Sequence, residues 1–220
     1  MKRRLVTTAD GSHSLRIDAW DEQYHSIHGA VAESQHVFIQ KGLREFEQKE
    51  IAVLEMGFGT GLNAFMSLID ALKQNKSLHY TAVEAFPLKK SEWELLNYPE
   101  VLNATEYSTC FDILHTSPWE VPVDLHQNFQ LIKRQTEMST FTVDESFDLV
   151  YFDAFGYRVQ PELWTAEVFS NMFRSLKPGG VLVTYAAKGV VRRTMQAVGF
   201  GVERLPGPPG KREMLRARKT

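Results

Sequence analysis

From residue 51 onward, short apolar runs alternate with segments in which apolar residues recur at helical spacing. The apolar runs predict strands buried on both faces of a sheet, at Ile51–Leu54, His79–Val83, Phe147–Phe152 and Val181–Tyr185. The helical spacing predicts helices at Leu62–Lys73, Ser91–Leu96, Leu163–Leu176 and Gly189–Val198. Because strands and helices alternate, the sequence predicts an α/β fold with helices on both faces of the sheet.

Three segments depart from this alternation. In the middle of the chain, Val121–Leu125 and Phe129–Ile132 predict an antiparallel β-hairpin that forms an excursion from the sheet. Near the end, Val202–Leu205 and Glu213–Arg216 predict a terminal strand pair, and Lys177–Gly180 predicts a structural turn before a strand. Residues 1–50 are polar and aromatic, so we expect an N-terminal extension that packs on a core domain formed by residues 51–220.

The composition is that of an ordinary globular protein, with 43% hydrophobic and 24% charged residues in a chain of 220. No stretch of 18 apolar residues occurs, and no apolar run follows the basic N-terminus, so neither a membrane span nor a signal peptide is expected. Cys110 is the only cysteine and can form no internal disulfide, which fits a reducing compartment. We therefore expect a cytoplasmic protein.

Basic residues are concentrated at the end of the chain. The formal net charge is −2, yet residues 188–220 contain nine lysines and arginines against only Glu203 and Glu213. Such asymmetry is typical of a surface that meets a polyanion, although charge alone favours the simpler interpretation of a solvated terminal face. The charge pattern alone leaves both interpretations open.

The strongest chemical signal is the glycine-rich segment Gly57–Gly61, which follows the first predicted strand and Glu55. Glycines allow a sharp strand-to-helix turn and close approach of a ligand to the main chain. A dinucleotide site would have a third glycine at position 62, where this chain has Leu62. S-adenosylmethionine has no phosphate, and an acid at Glu55 suits its cationic end, while the turn amides suit its carboxylate. A purely structural turn is the alternative.

Two further acids end predicted strands. Glu84 follows the second strand, where a carboxylate can accept hydrogen bonds from both hydroxyls of a ribose. Asp153 follows the nearly all-apolar strand at Phe147–Phe152, among aromatic neighbours, where it could orient an incoming amine and accept its proton. Each acid alone could be structural, but together with the glycine turn they favour a nucleoside-type cofactor site. The seven histidines show no metal-binding spacing, so no metal is expected.

An ordered set of motifs gives the chain a resemblance to a known family. These motifs are Tyr24–Ser26, Glu33–Phe38, Gly57–Asn63, Glu84–Pro87, Asp153–Phe155, Pro161–Thr165, Gly189–Arg193, Gly199–Phe200 and Lys211–Leu215. Together they resemble the methyltransferase part of the bifunctional tRNA 5-methylaminomethyl-2-thiouridine biosynthesis proteins. The resemblance implies a Rossmann-like class I methyltransferase that uses S-adenosylmethionine. Its substrate would be the exocyclic amine of 5-aminomethyl-(2-thio)uridine at the wobble position of tRNA.

The resemblance also implies roles for individual residues. Asp153 falls on the acid near the reacting amine and is the expected catalytic residue. The expected cofactor-binding residues are Glu55, Gly57, Gly59, Gly61, Asn63, Glu84, Ala85 and Glu137. The residues expected to bind the tRNA anticodon loop are Tyr24, Phe155, Tyr157, Arg192, Arg193, Lys211 and Arg212. The bifunctional members carry a flavin-dependent domain, so here a separate flavin-dependent tRNA-modifying enzyme is an expected partner and no flavin activity is expected of this chain.

Three positions differ from the family pattern. Ala154 replaces a glycine after the catalytic acid, Gln35 replaces an arginine, and Glu137 lies where relatives have Gly-Asp. Two other hypotheses remain open: a methyltransferase or aminopropyltransferase-like enzyme that acts on a small free amine, and a non-catalytic module that binds the cofactor.

Overall fold

The computed structural model describes residues 2–220, which form one eight-stranded mixed sheet with helices on both faces and a separate three-stranded sheet. The small sheet contains β1 (Arg3–Thr7), β2 (His13–Ile17) and β3 (Glu22–Gln23), all antiparallel. It is followed by α1 (Ala30–Ser34), which continues as a π-helical turn at Gln35–Gln40. This N-terminal region packs on the main sheet, because Val37, Phe38 and Ile39 belong to the same buried cluster as the sheet residues.

The parallel strands of the main sheet are β4 (Glu50–Met56), β5 (Ser77–Val83), β7 (Phe129–Arg134), β8 (Phe147–Phe152) and β9 (Leu176–Thr184). They are connected by helices except between β7 and β8, where a loop joins them. The helices are α2 (Leu62–Gln74), α3 (Lys90–Trp93), α4 (Tyr98–Val101), α5 (Ser108–Thr116), α6 (Ala166–Ser175) and α7 (Gly189–Val198). The edge strands are β6 (Val123–His126) and β10 (Phe200–Pro206), and β11 (Glu213–Lys219) lies antiparallel between β10 and β9.

Alternate residues of the central strands enter two different hydrophobic clusters. Val53 and Tyr151 pack with α2 and α5 on one face, whereas Leu54 and Phe152 pack with α6 and α7 on the other. Burial on both faces explains why these strands read as continuous apolar runs. The predicted α/β architecture is therefore confirmed.

The predicted hairpin exists, but it is not an excursion. Its second strand, β7, pairs in parallel with β5 over Leu78–Val83 and is a full member of the sheet, while β6 forms the edge. The hairpin's own turn is local and readable from sequence, whereas the pairing with β5 joins residues about 50 positions apart. Such pairing leaves no local signal.

Two other boundaries differ from the prediction. Lys177–Gly180 belongs to β9 as an irregularity, since Phe147 pairs with Leu176 and the next paired residue, Leu149, faces Val181. The predicted helix at Leu163–Leu176 divides at Thr165, whose side chain accepts a hydrogen bond from the Val168 amide and so starts α6. Helices α4 and α5 were not predicted.

Candidate active site

The loops that leave the carboxyl ends of β4, β5, β7 and β8 converge on one cavity of about 80 Å³. In open α/β sheets this edge is where ligands bind. Nine residues predicted for the site line the cavity together: Tyr24, Gly57, Gly59, Asn63, Glu84, Ala85, Glu137, Asp153 and Phe155. They come from five separate segments of the chain, so the fold brings together residues that the sequence only suggested were related.

The glycine turn follows β4 directly. Gly57 has φ of +99°, and a Cβ there would lie 2.6 Å from the backbone oxygen of Asp153. Gly59 has φ of +49°, and a Cβ there would lie 3.1 Å from the Tyr24 ring. Side chains at these positions would collide with their neighbours and strain the backbone. Gly61 does not line the cavity; it precedes α2 with φ of +74° and shapes the start of that helix.

The Glu84 carboxylate is held in place by the backbone on both sides. Its Oε2 accepts a hydrogen bond from the Gly59 amide at 3.0 Å, and its Oε1 accepts one from the Phe86 amide at 2.8 Å. Each carboxylate oxygen has two acceptor positions, so both oxygens retain capacity for another donor. The side chain is therefore oriented to accept hydrogen bonds from a pair of neighbouring hydroxyl groups.

Asp153 lies at the end of β8, across the cavity from Glu84. Its Oδ2 accepts a hydrogen bond of 2.8 Å from the Asn63 amide, whose oxygen accepts one of 2.5 Å from Ser34. Burial and the nearby Glu33 carboxylate raise the pKa of Asp153 to about 7, although the Asn63 hydrogen bond and Lys211 oppose the rise. A carboxyl group that titrates near neutral pH can both accept and release a proton.

Comparison with known proteins assigns a class to this geometry. A family model of S-adenosyl-L-methionine-dependent methyltransferases matches residues 120–220. The curated tRNA 5-methylaminomethyl-2-thiouridine biosynthesis bifunctional protein of Leptospira borgpetersenii serovar Hardjo-bovis (strain JB197) is 29% identical over 217 residues, which cover 90% of this chain and 32% of that protein. The Pseudomonas fluorescens (strain Pf0-1) protein of the same name is 29% identical over 226 residues, covering 91% and 32%. This chain thus spans about a third of the length of these relatives.

Solved structures agree on the fold. MNMC2 from Aquifex aeolicus superimposes with a TM-score of 0.82 at 24% identity, covering 100% of this chain and 70% of that one. Spermidine synthase from Thermotoga maritima gives a TM-score of 0.60 at 14% identity, covering 99% and 69%. Residues 120–220 match the family of S-adenosyl-L-methionine-dependent methyltransferases. The predicted enzyme class and cofactor are thereby confirmed.

The cavity of the methyltransferase fits this cofactor. Gly57 and Gly59 carry no side chain, so their main-chain atoms line the cavity directly and can face a ligand. Glu84 offers acceptors to a ribose, and Ala85 and Glu137 line the same part of the cavity. These residues, from the three segments that follow β4, β5 and β7, are those that would hold the nucleoside, and the role of each stays a prediction.

Glu55 is not where the sequence suggested. It is fully buried beneath the glycine turn and does not line the cavity. The reason is strand parity: Glu55 shares the face of β4 that carries Val53, and this face packs toward the α2 side of the sheet. Burial and then the nearby Asp153 raise the pKa of Glu55 well above its usual value, so its neutral form is favoured. Direct contact with a cofactor ammonium is therefore not available to it.

Aromatic residues form one wall of the cavity, and the Tyr24 ring of this wall packs next to Gly59. Phe155 packs edge-on against Tyr24 at 5.0 Å and against Trp20 at 5.6 Å between ring centroids. Arg158 holds the two parts of the wall together, since its guanidinium donates to the backbone oxygen of Asp21 and to the Glu22 carboxylate, both at 3.1 Å. Tyr24 and Phe155 were predicted, whereas Trp20 and Glu22 were missed.

The sequence missed several other lining residues, namely Arg3, His25, Gln160 and Tyr185. His25 is buried with its Nδ1 2.9 Å from Ser14 Oγ, and burial lowers its pKa to about 4, so it is neutral near pH 7. For Arg3 and His25, the available signal was the aromatic and polar composition of residues 1–50. This composition indicated a surface that packs on the core, but not that it lines the cavity.

The predicted tRNA-binding cations do not line the cavity, nor does Tyr157. Arg193 and Arg212 are exposed, Arg192 is half-buried, and the Lys188 ammonium lies 5.3 Å from the Tyr157 ring centroid. Lys211 departs most from the prediction because it points inward and pairs with buried Glu33. An ammonium that is engaged by Glu33 and the Tyr185 ring is poorly placed to meet a phosphate, and the role of Lys211 in tRNA binding stays a prediction.

Within residues 2–220, no group of three or more histidine, cysteine, aspartate or glutamate side chains is arranged to hold a metal ion. In the same range, no helix is long and apolar enough to cross a bilayer.

Proposed function

We propose that the methyltransferase transfers a methyl group to the exocyclic amine of 5-aminomethyl-(2-thio)uridine at the wobble position of tRNA. The observation that carries this proposal is the position of Asp153 between the glycine turn and the aromatic wall. The names of the bifunctional relatives from Leptospira and Pseudomonas support the tRNA substrate. A separate flavin-dependent enzyme that prepares the amine is the partner we propose with it.

The residues around Asp153 suit a reaction on an amine. S-adenosylmethionine, when bound, supplies an electrophilic methyl group. An alkylammonium has no free lone pair, so the acceptor amine must lose a proton before or during transfer. Asp153 can take that proton near neutral pH, and its hydrogen bond from Asn63 fixes the carboxylate that orients the amine.

The aromatic wall suits a base rather than a small flexible amine. Trp20, Tyr24 and Phe155 present ring surfaces around the cavity, and unpaired RNA bases stack on such rings. A wobble base lies in a single-stranded loop, so moving it into the cavity requires little unstacking energy. The acidic residues Glu22, Glu84 and Glu137 also line the cavity and attract a cationic aminomethyl group.

The first test is a labelling assay in which the full chain receives S-adenosylmethionine with one of three acceptors. These are tRNA containing 5-aminomethyluridine, the free nucleoside, and spermidine. We expect methyl transfer to the tRNA, detected by mass spectrometry of its wobble nucleoside. Transfer to spermidine or to the free nucleoside in preference to tRNA would favour the small-amine alternative and contradict the proposal.

The same assay tests Asp153. Asp153→Asn keeps the shape and the acceptor for Asn63 but cannot take a proton, so we expect the rate of transfer to fall by roughly 10²–10⁴-fold. Cofactor affinity, measured by calorimetry, should stay within about threefold, because Asp153 has no part in holding the nucleoside. Asp124→Asn, an exposed aspartate on β6, is the matched control and should retain full activity. Undiminished turnover in Asp153→Asn would exclude the proposed proton transfer.

A further inference from the structure

A buried ion pair lies behind the catalytic carboxylate. Glu33 of α1 is almost fully buried; its Oε1 contacts the Lys211 ammonium, and its Oε2 accepts a hydrogen bond of 2.9 Å from the Ser26 amide. The Lys211 ammonium also lies 3.7 Å from the centroid of the Tyr185 ring, which lines the cavity. Tyr185 in turn donates a hydrogen bond of 2.8 Å to the backbone oxygen of Ala154, next to Asp153.

Lys211 is held in this place by its own loop. The turn between β10 and β11 closes through hydrogen bonds from the Lys211 amide to Pro208 and from the Gly207 amide to Arg212. His36 donates a hydrogen bond of 2.8 Å to the backbone oxygen of Pro206, which fixes the turn to the N-terminal region. The turn therefore holds the Lys211 ammonium against Glu33, although the two residues are 178 positions apart in the chain.

We propose that Lys211 and Glu33 are positioning residues that set the charge of the catalytic acid: the ammonium neutralises the Glu33 carboxylate and thereby allows Asp153 to ionise beside it. This inference rests on the role proposed above for Asp153. Without the ammonium, no neighbouring cation would offset the repulsion between the Glu33 and Asp153 carboxylates, and like charges disfavour ionisation of both. With it, the pKa of Asp153 is about 7, so a substantial fraction of the side chain is a carboxylate near neutral pH and can accept a proton.

Arg3, Glu22, Glu84 and Glu137 line the same cavity as Asp153, and the groups whose charge is coupled directly to Asp153 come from five elements. They are Glu33 on α1, Glu55 on β4, Tyr80 on β5, Tyr185 after β9, and Lys211 in the β10–β11 turn. Burial favours the neutral forms of Glu55, Tyr80 and Tyr185. Lys211 is thus the one cation in this set, and Glu33 is the anion that most opposes ionisation of Asp153.

The decisive experiment measures the titration of Asp153 directly. In protein labelled with carbon-13 at aspartate carboxyl groups, NMR follows the Asp153 resonance against pH, and Asp153→Asn assigns it. Lys211→Met, which keeps the length and removes the charge, should move the midpoint up by about one pH unit or more. Glu33→Gln should move it down by a similar amount, and the double variant should return it toward the wild-type value.

Arg204→Met is the matched control, because it removes an exposed cation on β10 that pairs with Glu213, away from the cavity. Its midpoint should equal that of the wild type. Circular dichroism verifies that each variant is folded, and if Lys211→Met fails to fold, Glu33→Gln alone decides. A midpoint that stays unchanged in every folded variant of the pair would overturn the proposal.

A second measurement separates this inference from the proposed function. The acid limb of kcat/KM against pH, measured with tRNA, should move with the NMR midpoint in each variant, because kcat/KM reports groups of the free enzyme. If the wild type methylates no tRNA, the proposed function fails while the NMR titration still tests the charge coupling. If the limb stays fixed while the NMR midpoint moves, Asp153 is not the group that limits catalysis, and the positioning role is refuted.

Discussion

Asp153 is held where its ionised form is disfavoured. Burial and the Glu33 carboxylate raise its pKa to about 7, and the Asn63 hydrogen bond and Lys211 offset only part of that rise. In an unfolded chain its pKa would be close to 3.9. The folded protein therefore binds the proton more tightly than the unfolded chain does, and folding stability must decline as the pH rises between these two values.

This linkage predicts how Asp153→Asn alters stability. Below about pH 4 the carboxyl is protonated in both states, so the substitution should change the free energy of unfolding little. Above pH 7 the wild type must bury a carboxylate, so the variant should be more stable by on the order of 1–3 kcal/mol. Urea denaturation at pH 3.5 and pH 8 measures both conditions, with Asp124→Asn as the control. A stability difference that is equal at the two pH values would contradict the assigned pKa.

The sequence predicted that acids directly after a strand line the cavity, but it did not predict the direction of an acid inside a strand. Glu84 and Asp153 follow strands whose apolar runs stop abruptly, and both line the cavity. Glu55 precedes the turn by two residues and was predicted to bind the cofactor. The alternation of side chains along β4 directs it into the interior instead. A strand buried on both faces gives no polar alternation from which that direction could be read.

At the scale of elements, the turn from β4 to α2 depends on space as well as on backbone freedom. Gly57 combines a left-handed φ of +99° with a neighbouring backbone oxygen 2.6 Å from any added Cβ. Gly179, in the irregular part of β9, has φ of +77° with no atom within 4 Å. A side chain at Gly179 would therefore cause backbone strain alone, whereas a side chain at Gly57 would cause strain and also collide with the site.

We expect Gly57→Ala to weaken S-adenosylmethionine binding by at least roughly tenfold, because the added methyl group displaces the Asp153 backbone that borders the cavity. Gly179→Ala should lower the free energy of unfolding by about 1–2 kcal/mol and leave cofactor affinity unchanged. Calorimetric titration and urea denaturation of both variants measure these effects. Equal losses of affinity in the two variants would show that backbone strain alone, and not collision with the Asp153 backbone, is the reason why position 57 requires glycine.

Strands and helices with local patterns were predicted, but contacts between distant segments were not. The hairpin at β6–β7 was anticipated, although its parallel pairing with β5 was not. The N-terminal region was recognised as polar and aromatic, yet nothing local indicated that Trp20 and Glu22 face the loop after β8. Packing across the sheet edge is decided by the whole fold, so only a resemblance or a structure could reveal it.

At the scale of the whole molecule, much of the C-terminal positive charge is neutralised within the chain. Arg204, Lys211, Arg216 and Lys219 each pair with a glutamate. Within residues 2–220, Lys188, Arg192, Arg193 and Arg212 form no salt bridge of this kind. The first three lie at the start of α7, which follows the carboxyl end of β9 and so begins at the same edge as the cavity. The surface formed by Lys188, Arg192 and Arg193 is therefore the part of the basic C-terminal segment that is positioned to meet RNA phosphates near the site.

Salt dependence of tRNA binding tests this surface. Each phosphate contact of a cation with single-stranded RNA contributes about 0.7 to the slope of log K against log salt concentration. Arg192→Gln with Arg193→Gln should therefore reduce the slope by roughly 1–1.5 and weaken binding at low salt, since the loss is electrostatic. The control pair, Lys49→Gln with Lys73→Gln, removes two exposed cations at the opposite edge of the sheet and should leave the slope unchanged. If the control pair lowers the slope as much as the α7 pair does, tRNA is held by the overall charge of the molecule and the anticodon loop has no defined path across α7.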